Sequence, residues 1–95
     1  MSRINFTDQF NKSEWGHNFS YAGLARLYRE LEELYNGKFE YDAGKIAAMY
    51  TEFRSLDEFN EDQFSHDKEL YYESIEELEN DRYIMHIDGG GFIVE

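Results

Sequence analysis

Apolar side chains recur at about 3.6-residue spacing between Ser20 and Tyr35, where Leu24, Leu27, Tyr28, Leu31, Leu34 and Tyr35 fall within one arc. That pattern predicts one long amphipathic helix over 20–35. Ser20 is a suitable N-cap, Phe19 before it can staple onto Leu24, and Asn36-Gly37 supplies a left-handed stop. The opposite face carries Arg26, Arg29, Glu30, Glu32 and Glu33. Arg26–Glu30 and Arg29–Glu33 are opposite charges at i,i+4, as on an ordinary solvated helix face.

Ahead of this helix, Arg3-Ile4-Asn5-Phe6 reads as a short strand, and Thr7 to Asn18 as a loop or a single helical turn. Beyond Gly37 the pattern has two fits. Ile46, Met49, Tyr50 and Phe53 suit a helix capped by Asp42, whereas Met49, Thr51 and Phe53 suit a strand. A short helix to about Ala48 followed by a strand over 49–53 is the expectation. At the C-terminal end, Tyr83-Ile84-Met85-His86-Ile87 and Phe92-Ile93-Val94 flank Asp88-Gly89-Gly90-Gly91, which is hairpin chemistry.

Between them lies a small internal repeat. Ser55-Leu56-Asp57-Glu58-Phe59-Asn60-Glu61-Asp62 matches Ser74-Ile75-Glu76-Glu77-Leu78-Glu79-Asn80-Asp81. Each copy begins with serine followed three residues later by glutamate, a capping box, so each predicts a helix, over 55–64 and 74–80. Leu56, Phe59 and Gln63 share one side of the first. Ile75 and Leu78 give the second its apolar side. The resulting expectation is an α+β fold in a single domain over 1–95. Its small antiparallel sheet is built from residues around 49–53, 83–88 and 92–94, covered by the long helix and flanked by two short acidic ones.

Charge changes this picture. The chain carries a net charge of −12, and its thirty residues from Glu52 to Asp81 carry −10 of it. Twelve acids lie there: Glu52, Asp57, Glu58, Glu61, Asp62, Asp67, Glu69, Glu73, Glu76, Glu77, Glu79 and Asp81. They stand against Arg54 and Lys68 alone. Acids in the first turn of a helix gain from its dipole, typically by about 0.3–1 kcal/mol each, which accounts for one or two in each copy. It does not account for the rest, and such a field repels itself. A strongly basic partner surface is the implied counterpart, and the commonest basic surfaces are those that hold nucleic acid.

Composition removes other classes. Aromatics make up 18% of the chain, too many for an acidic disordered segment. No cysteine is present, so disulfides, thiolate metal sites and a cysteine nucleophile are excluded. No run approaches the roughly 20 apolar residues of a membrane helix, and Met1-Ser2-Arg3-Ile4 lacks a signal-peptide core, so a cytoplasmic protein is expected. His17, His66 and His86 lack the spacing of a helical zinc site, and the acids lack the glycine and terminal glutamate of a calcium loop, so no metal or cofactor is expected. Carboxylates on outer helix faces are poorly placed for acid–base catalysis, which needs burial to raise a pKa; no enzymatic activity is expected. Direct nucleic-acid binding fails on charge, even though Trp15, Tyr71 and Tyr72 are stacking residues in principle.

The stretches Asn18-Phe19-Ser20-Tyr21-Ala22-Gly23-Leu24, Tyr50-Thr51-Glu52-Phe53-Arg54-Ser55-Leu56-Asp57-Glu58 and Asp88 to Val94 together resemble a group of small acidic proteins encoded by bacteriophages and mobile elements. Tyr41-Asp42-Ala43-Gly44-Lys45-Ile46 is similar to a short element of ArdA-type antirestriction proteins. The resemblance implies an anti-defence role, as a DNA-mimic anti-CRISPR or antirestriction protein, with no catalytic residues to carry over. The twelve acids are then the expected partner-binding residues, facing the basic DNA-binding surface of a host nuclease or CRISPR effector complex. An acidic interaction module, or an immunity protein that neutralises a basic nuclease, is the alternative.

Overall fold

In the computed structural model, which describes residues 2–95, the chain runs α1 (Arg3–Lys12), α2 (Tyr21–Tyr35), α3 (Ala43–Met49), β1 (Thr51–Phe53), α4 (Leu56–Phe64), α5 (Ile75–Asp81), β2 (Ile84–His86) and β3 (Phe92–Val94). Single 3-10 turns at Gly16–Asn18 and Lys68–Leu70 join α1 to α2 and α4 to α5. The class is α+β, with five helices and one three-stranded antiparallel sheet.

The C-terminal strand β3 is the middle of the sheet, in the order β1-β3-β2. Thr51 pairs with Val94 and Phe53 with Phe92 on one side; Ile84 pairs with Val94 and His86 with Phe92 on the other. Because strand side chains alternate, Phe53, Phe92, Val94 and Ile84 point to one face and Ile93 and Met85 to the other. The two faces carry separate cores. Ile93, Met85 and Ile87 pack with Phe6, Phe10, Leu24, Leu27, Leu31, Ile46 and Tyr50 from α1 to α3. Phe53, Phe92 and Val94 pack with Phe59 of α4 and Leu78 of α5. The sheet is therefore a middle layer, with the near-neutral helices on one side and the acidic helices on the other.

The N-terminal segment departs from the strand and loop read from its sequence. Ile4 and Phe6 alternate as in a strand, but Ile4 is exposed, and the buried stripe is Phe6, Thr7 and Phe10, a helical spacing. Ser2 Oγ accepts the Asn5 N–H at 3.2 Å and opens α1. Phe6 then meets Phe10, Tyr28, Phe39 and Tyr41, with ring centroids 5.6–6.2 Å apart. This aromatic contact set is what makes the segment helical.

Helix α2 starts and stops where its caps place it. Ser20 Oγ accepts the Gly23 N–H at 3.0 Å, and Asn36 takes the left-handed conformation at φ 52°. Its faces differ from the sequence reading in two respects. Leu34 and Tyr35 are exposed, and Glu30 is buried, 8% exposed. Glu30 holds Arg26 at 3.1 Å and accepts the Tyr83 hydroxyl at 2.6 Å, so a partner from β2's approach draws it inward. Arg29 and Glu33 do not form an ion pair. Helix α3, capped by Asp42, continues to Met49, and β1 starts at Thr51 rather than at 49.

The hairpin between β2 and β3 closes through Ile87, which donates to Gly91 O at 3.1 Å and accepts from the Gly90 N–H at 3.1 Å. Gly91 has φ 88°, and a Cβ there would stand 2.9 Å from Phe53 O, so the residue is fixed as glycine twice over. Among the described residues, no helix is long and apolar enough to cross a membrane.

Candidate functional site

Both acidic helices are capped by the same device. In α4, Ser55 Oγ accepts the Glu58 N–H at 3.2 Å, and Glu58 Oε1 accepts the Arg54 N–H at 3.4 Å. In α5, Ser74 Oγ accepts the Glu77 N–H at 3.2 Å, and Glu77 Oε2 accepts the Glu73 N–H at 3.2 Å. The sequence repeat is thus a structural repeat, down to which amide each carboxylate serves. Glu58 and Glu77 have a local structural use in addition to any other.

The helices are tied together beneath the acids. Phe59 and Leu78 meet the same sheet face, and Tyr72 packs on Phe59 and Phe64 at 6.1 and 6.2 Å. Asn60, buried on α4, donates from Nδ2 to Tyr72 O at 3.0 Å and accepts the Tyr72 N–H on Oδ1 at 3.0 Å. One side-chain amide satisfies both backbone groups of Tyr72 and fixes the turn between the helices. Asn60 therefore occupies the buried stripe assigned to Gln63, which is exposed and donates to Asp62 at 2.7 Å.

Eleven of the twelve acids are exposed; Glu52 is half-buried. On β1 its neighbours Thr51 and Phe53 face the acidic helices, so Glu52 points the other way, towards α2. Its Oε1 accepts the Ser20 N–H at 2.9 Å at the start of that helix. The strand's alternation separates it from the other eleven.

Those eleven come from α4, from α5 and from the segment joining them. The side chains of Asp57, Glu69, Glu73 and Glu76 accept no hydrogen bond from the described residues, whereas Glu61 lies against the Tyr71 hydroxyl. Asp62 takes Gln63, Asp67 caps the 3-10 turn through the Glu69 N–H at 3.2 Å, and Asp81 accepts the Tyr72 hydroxyl at 2.9 Å. Glu79 meets His86 Nε2 of β2 at 2.6 Å. Among the described residues, no lysine or arginine forms an ion pair with any of them.

The electrostatics show in the tyrosines beneath. The hydrogen bond to Asp81, followed by burial, pushes the Tyr72 phenol above its usual range. Burial, then the hydrogen bond to Glu61 and its charge, do the same for Tyr71, whose hydroxyl is enclosed. Stacking by Tyr71 and Tyr72 on a base is not what this geometry offers: both rings are half-buried, and Tyr72 is held by Asn60 and Asp81. Trp15 is half-buried against the other core.

Chemically the site is a face and not a cleft. A surface groove of about 750 Å³ runs between the start of α1 and α2, and none of the twelve acids lines it. Among the described residues, no three His, Asp or Glu side chains converge as a metal ligand set. What the face offers a partner is a set of exposed carboxylates carried by two capped helices and the segment between them. No protein-family model, curated protein or solved structure matches the chain.

Proposed function

We propose that the protein is an anti-defence inhibitor of the phage or mobile-element type, which imitates the charge of DNA and occupies the DNA-binding surface of a CRISPR effector or restriction enzyme. It acts in the cytoplasm of a bacterial host, by occupancy, with neither turnover nor cofactor. The observation that carries this reading is the separation of charge by the sheet: eleven exposed acids without an Arg or Lys ion pair lie on one side, over a firmly packed base.

Magnitudes support a short mimic. B-DNA carries one charge per about 1.7 Å of axis, so the nine net charges left when Glu52 is set aside, eleven acids against Arg54 and Lys68, correspond to roughly 15 Å of duplex. Helix α4, with nine residues, is about 13 Å long, and α5 and the connecting segment carry the remaining acids. Carboxylates at i and i+4 are about 6 Å apart, a spacing that successive Lys or Arg side chains in a DNA groove can meet. The contact fits a protospacer-adjacent or similarly short recognition site better than a long duplex.

The test is order of addition. After capture of the target from a defence-proficient bacterial lysate, protein added before DNA blocks loading in a mobility-shift titration. Protein added to a formed complex has much less effect. Simultaneous occupancy by DNA and protein, with only cleavage lost, overturns the mimic. Capture of a basic toxin nuclease instead transfers the same face to an immunity protein.

A further inference from the structure

The sheet's two outer strands have different free edges. The Glu95 N–H donates to Tyr83 O at 3.4 Å and the Ile87 N–H to Gly91 O at 3.1 Å, so Tyr83, Met85 and Ile87 form the hydrogen-bonded pairs with β3. The residues that alternate with them, Ile84 and His86, turn their N–H and C=O groups outward. On β1 the outward residue is Glu52, with Tyr50 and Arg54 on either side of it.

The β1 edge is closed from within the chain. Ile46 O accepts the Tyr50 N–H at 3.0 Å at the end of α3, and Glu58 accepts the Arg54 N–H at 3.4 Å at the start of α4. Before β2 the Arg82 N–H is likewise used, by Leu78 O at 2.8 Å. Past it, among the described residues, nothing bonds to the outward amides and carbonyls of Ile84 and His86. Unpaired groups at strand spacing are a template for another extended backbone.

Charge selects whose backbone it is. Ile84 and His86 face α5, as the 2.6 Å contact of His86 with Glu79 shows. A hollow of about 450 Å³ beside Ile84 is lined by Glu79 and Asp81 as well as Arg82. Asp81 meets the neutral Tyr72 hydroxyl, and neither acid meets a lysine or arginine. The Arg82 guanidinium is engaged with Glu95 O at 3.0 Å. A strand laid against β2 therefore sets alternate side chains towards two carboxylates. A second copy is disfavoured there: pairing β2 with β2 about a two-fold axis keeps both α5 helices on one side of the joined sheet, acid beside acid.

We infer that the outer edge of β2 takes an extended basic segment of the partner protein as a fourth strand, antiparallel to β2, with Lys or Arg opposite Ile84 and His86. The inference rests on the basic partner proposed above and states how its backbone is held. Residues opposite Ile84 and His86 share their face, which directs the basic side chains towards Glu79 and Asp81. The intervening residues are apolar, because on the other face they meet the half-exposed ring of Tyr83.

A capped seven-residue peptide of alternating lysine and valine, titrated into the isotope-labelled full chain at physiological salt, tests it. The Ile84 and His86 amide resonances shift, and at saturation their hydrogen exchange slows about tenfold or more. N-methylation of the lysines, whose amides face β2, weakens binding about tenfold or more, whereas N-methylation of the valines, whose amides face away, does not. A peptide with glutamate in place of lysine does not bind. His86→Pro removes an outward N–H that carries no ladder bond, and it weakens binding about tenfold while circular dichroism verifies the fold. If that variant does not fold, the N-methylated peptides on the unaltered chain decide the matter. Equal binding of the lysine-methylated or the glutamate peptide overturns the inference, as does binding that leaves Ile84 and His86 unmoved. Dimerisation of the chain through the same two residues, without peptide, gives the edge to a second copy and equally overturns it. The DNA mimic fails on a different result: peptide held at β2, together with a target that carries DNA and protein at once, keeps the edge and removes the mimic.

Discussion

Glu52 of β1 accepts the backbone N–H of Ser20 at 2.9 Å, thirty-two residues away in sequence, and so joins the sheet to the first turn of α2. The contact places a carboxylate where the helix dipole favours one, beside Gly23, at which any Cβ would overlap Glu52 Oε1. Glu52 is thereby engaged on the near-neutral side of the molecule.

Removing it separates structure from function. Glu52→Ala loses one charge-assisted hydrogen bond and its dipole benefit, about 1–2 kcal/mol together. That corresponds to a fall in Tm on the order of 5–10 °C for a domain of this size. Affinity for a basic partner stays the same, since Glu52 does not lie on the acidic face. A thermal melt and a binding titration measure the two effects. An unchanged Tm with weakened binding contradicts this placement.

The acidic face predicts the opposite combination. Neutralising Asp57, Glu69, Glu73 and Glu76, whose side chains serve no hydrogen bond, leaves Tm within a degree or two, because surface changes usually alter stability by less than about 0.5 kcal/mol each and relief of repulsion opposes the loss. Binding to the captured target falls at least about tenfold, and its salt dependence flattens. Glu58 and Glu77 are left out of the set because each accepts a backbone amide at a helix start. A salt slope equal to that of the unaltered protein rejects the charge-mimic reading.

How much of this was legible before the structure depends on where each residue's partner lies. The caps of α4 and α5 are local, Ser55 with Glu58 and Ser74 with Glu77, so spacing alone revealed both helices. The hairpin was equally local. Helix α1 was not, because its stripe of Phe6, Thr7 and Phe10 becomes apolar enough only against Tyr28, Phe39 and Tyr41. Glu30 reads as a solvated charge until Tyr83, fifty-three residues on, is brought to it. A window of charge counts acids without assigning faces, which is why it included Glu52; the alternation of Thr51, Glu52 and Phe53 was the signal that separates them. Asn60 interrupts the repeat where its counterpart is Glu79, and that mismatch was the one trace of its buried role.

Asn60 is expected to be the most sensitive polar residue of the acidic half. Asn60→Ala strips both hydrogen bonds from the Tyr72 backbone, leaving a half-buried N–H and C=O unpaired at about 1–3 kcal/mol each. The total is on the order of 3 kcal/mol. Amide hydrogen exchange at Tyr72 accelerates with it, and binding through α5 is weakened because the turn between the helices loosens. Asn60→Asp, which keeps one acceptor but loses the donor, falls between. Exchange at Tyr72 unaltered in the alanine variant shows that the turn is held by something else.

Alkaline pH tests the Tyr83–Glu30 bond. The hydrogen bond to Glu30, then burial, then the carboxylate's charge raise the Tyr83 phenol above the ordinary 10.0, with Arg26 acting the other way. A phenol whose folded pKa exceeds its unfolded value binds its proton more firmly in the native state. The stability it contributes is complete below about pH 10 and is lost as pH rises through the folded pKa. Tyr72, raised by Asp81, adds a second group with the same sign. Stability measured by denaturant titration should therefore be flat approaching pH 10 and decline above it. Tyrosinate absorbance of the native protein should lag behind that of the unfolded chain. Tyr83→Phe removes its share of the decline and lowers stability at neutral pH, because Glu30 then keeps Arg26 as its one side-chain partner. If Tyr83→Phe leaves both the neutral-pH stability and the alkaline slope unchanged, the phenol does not hold the buried carboxylate.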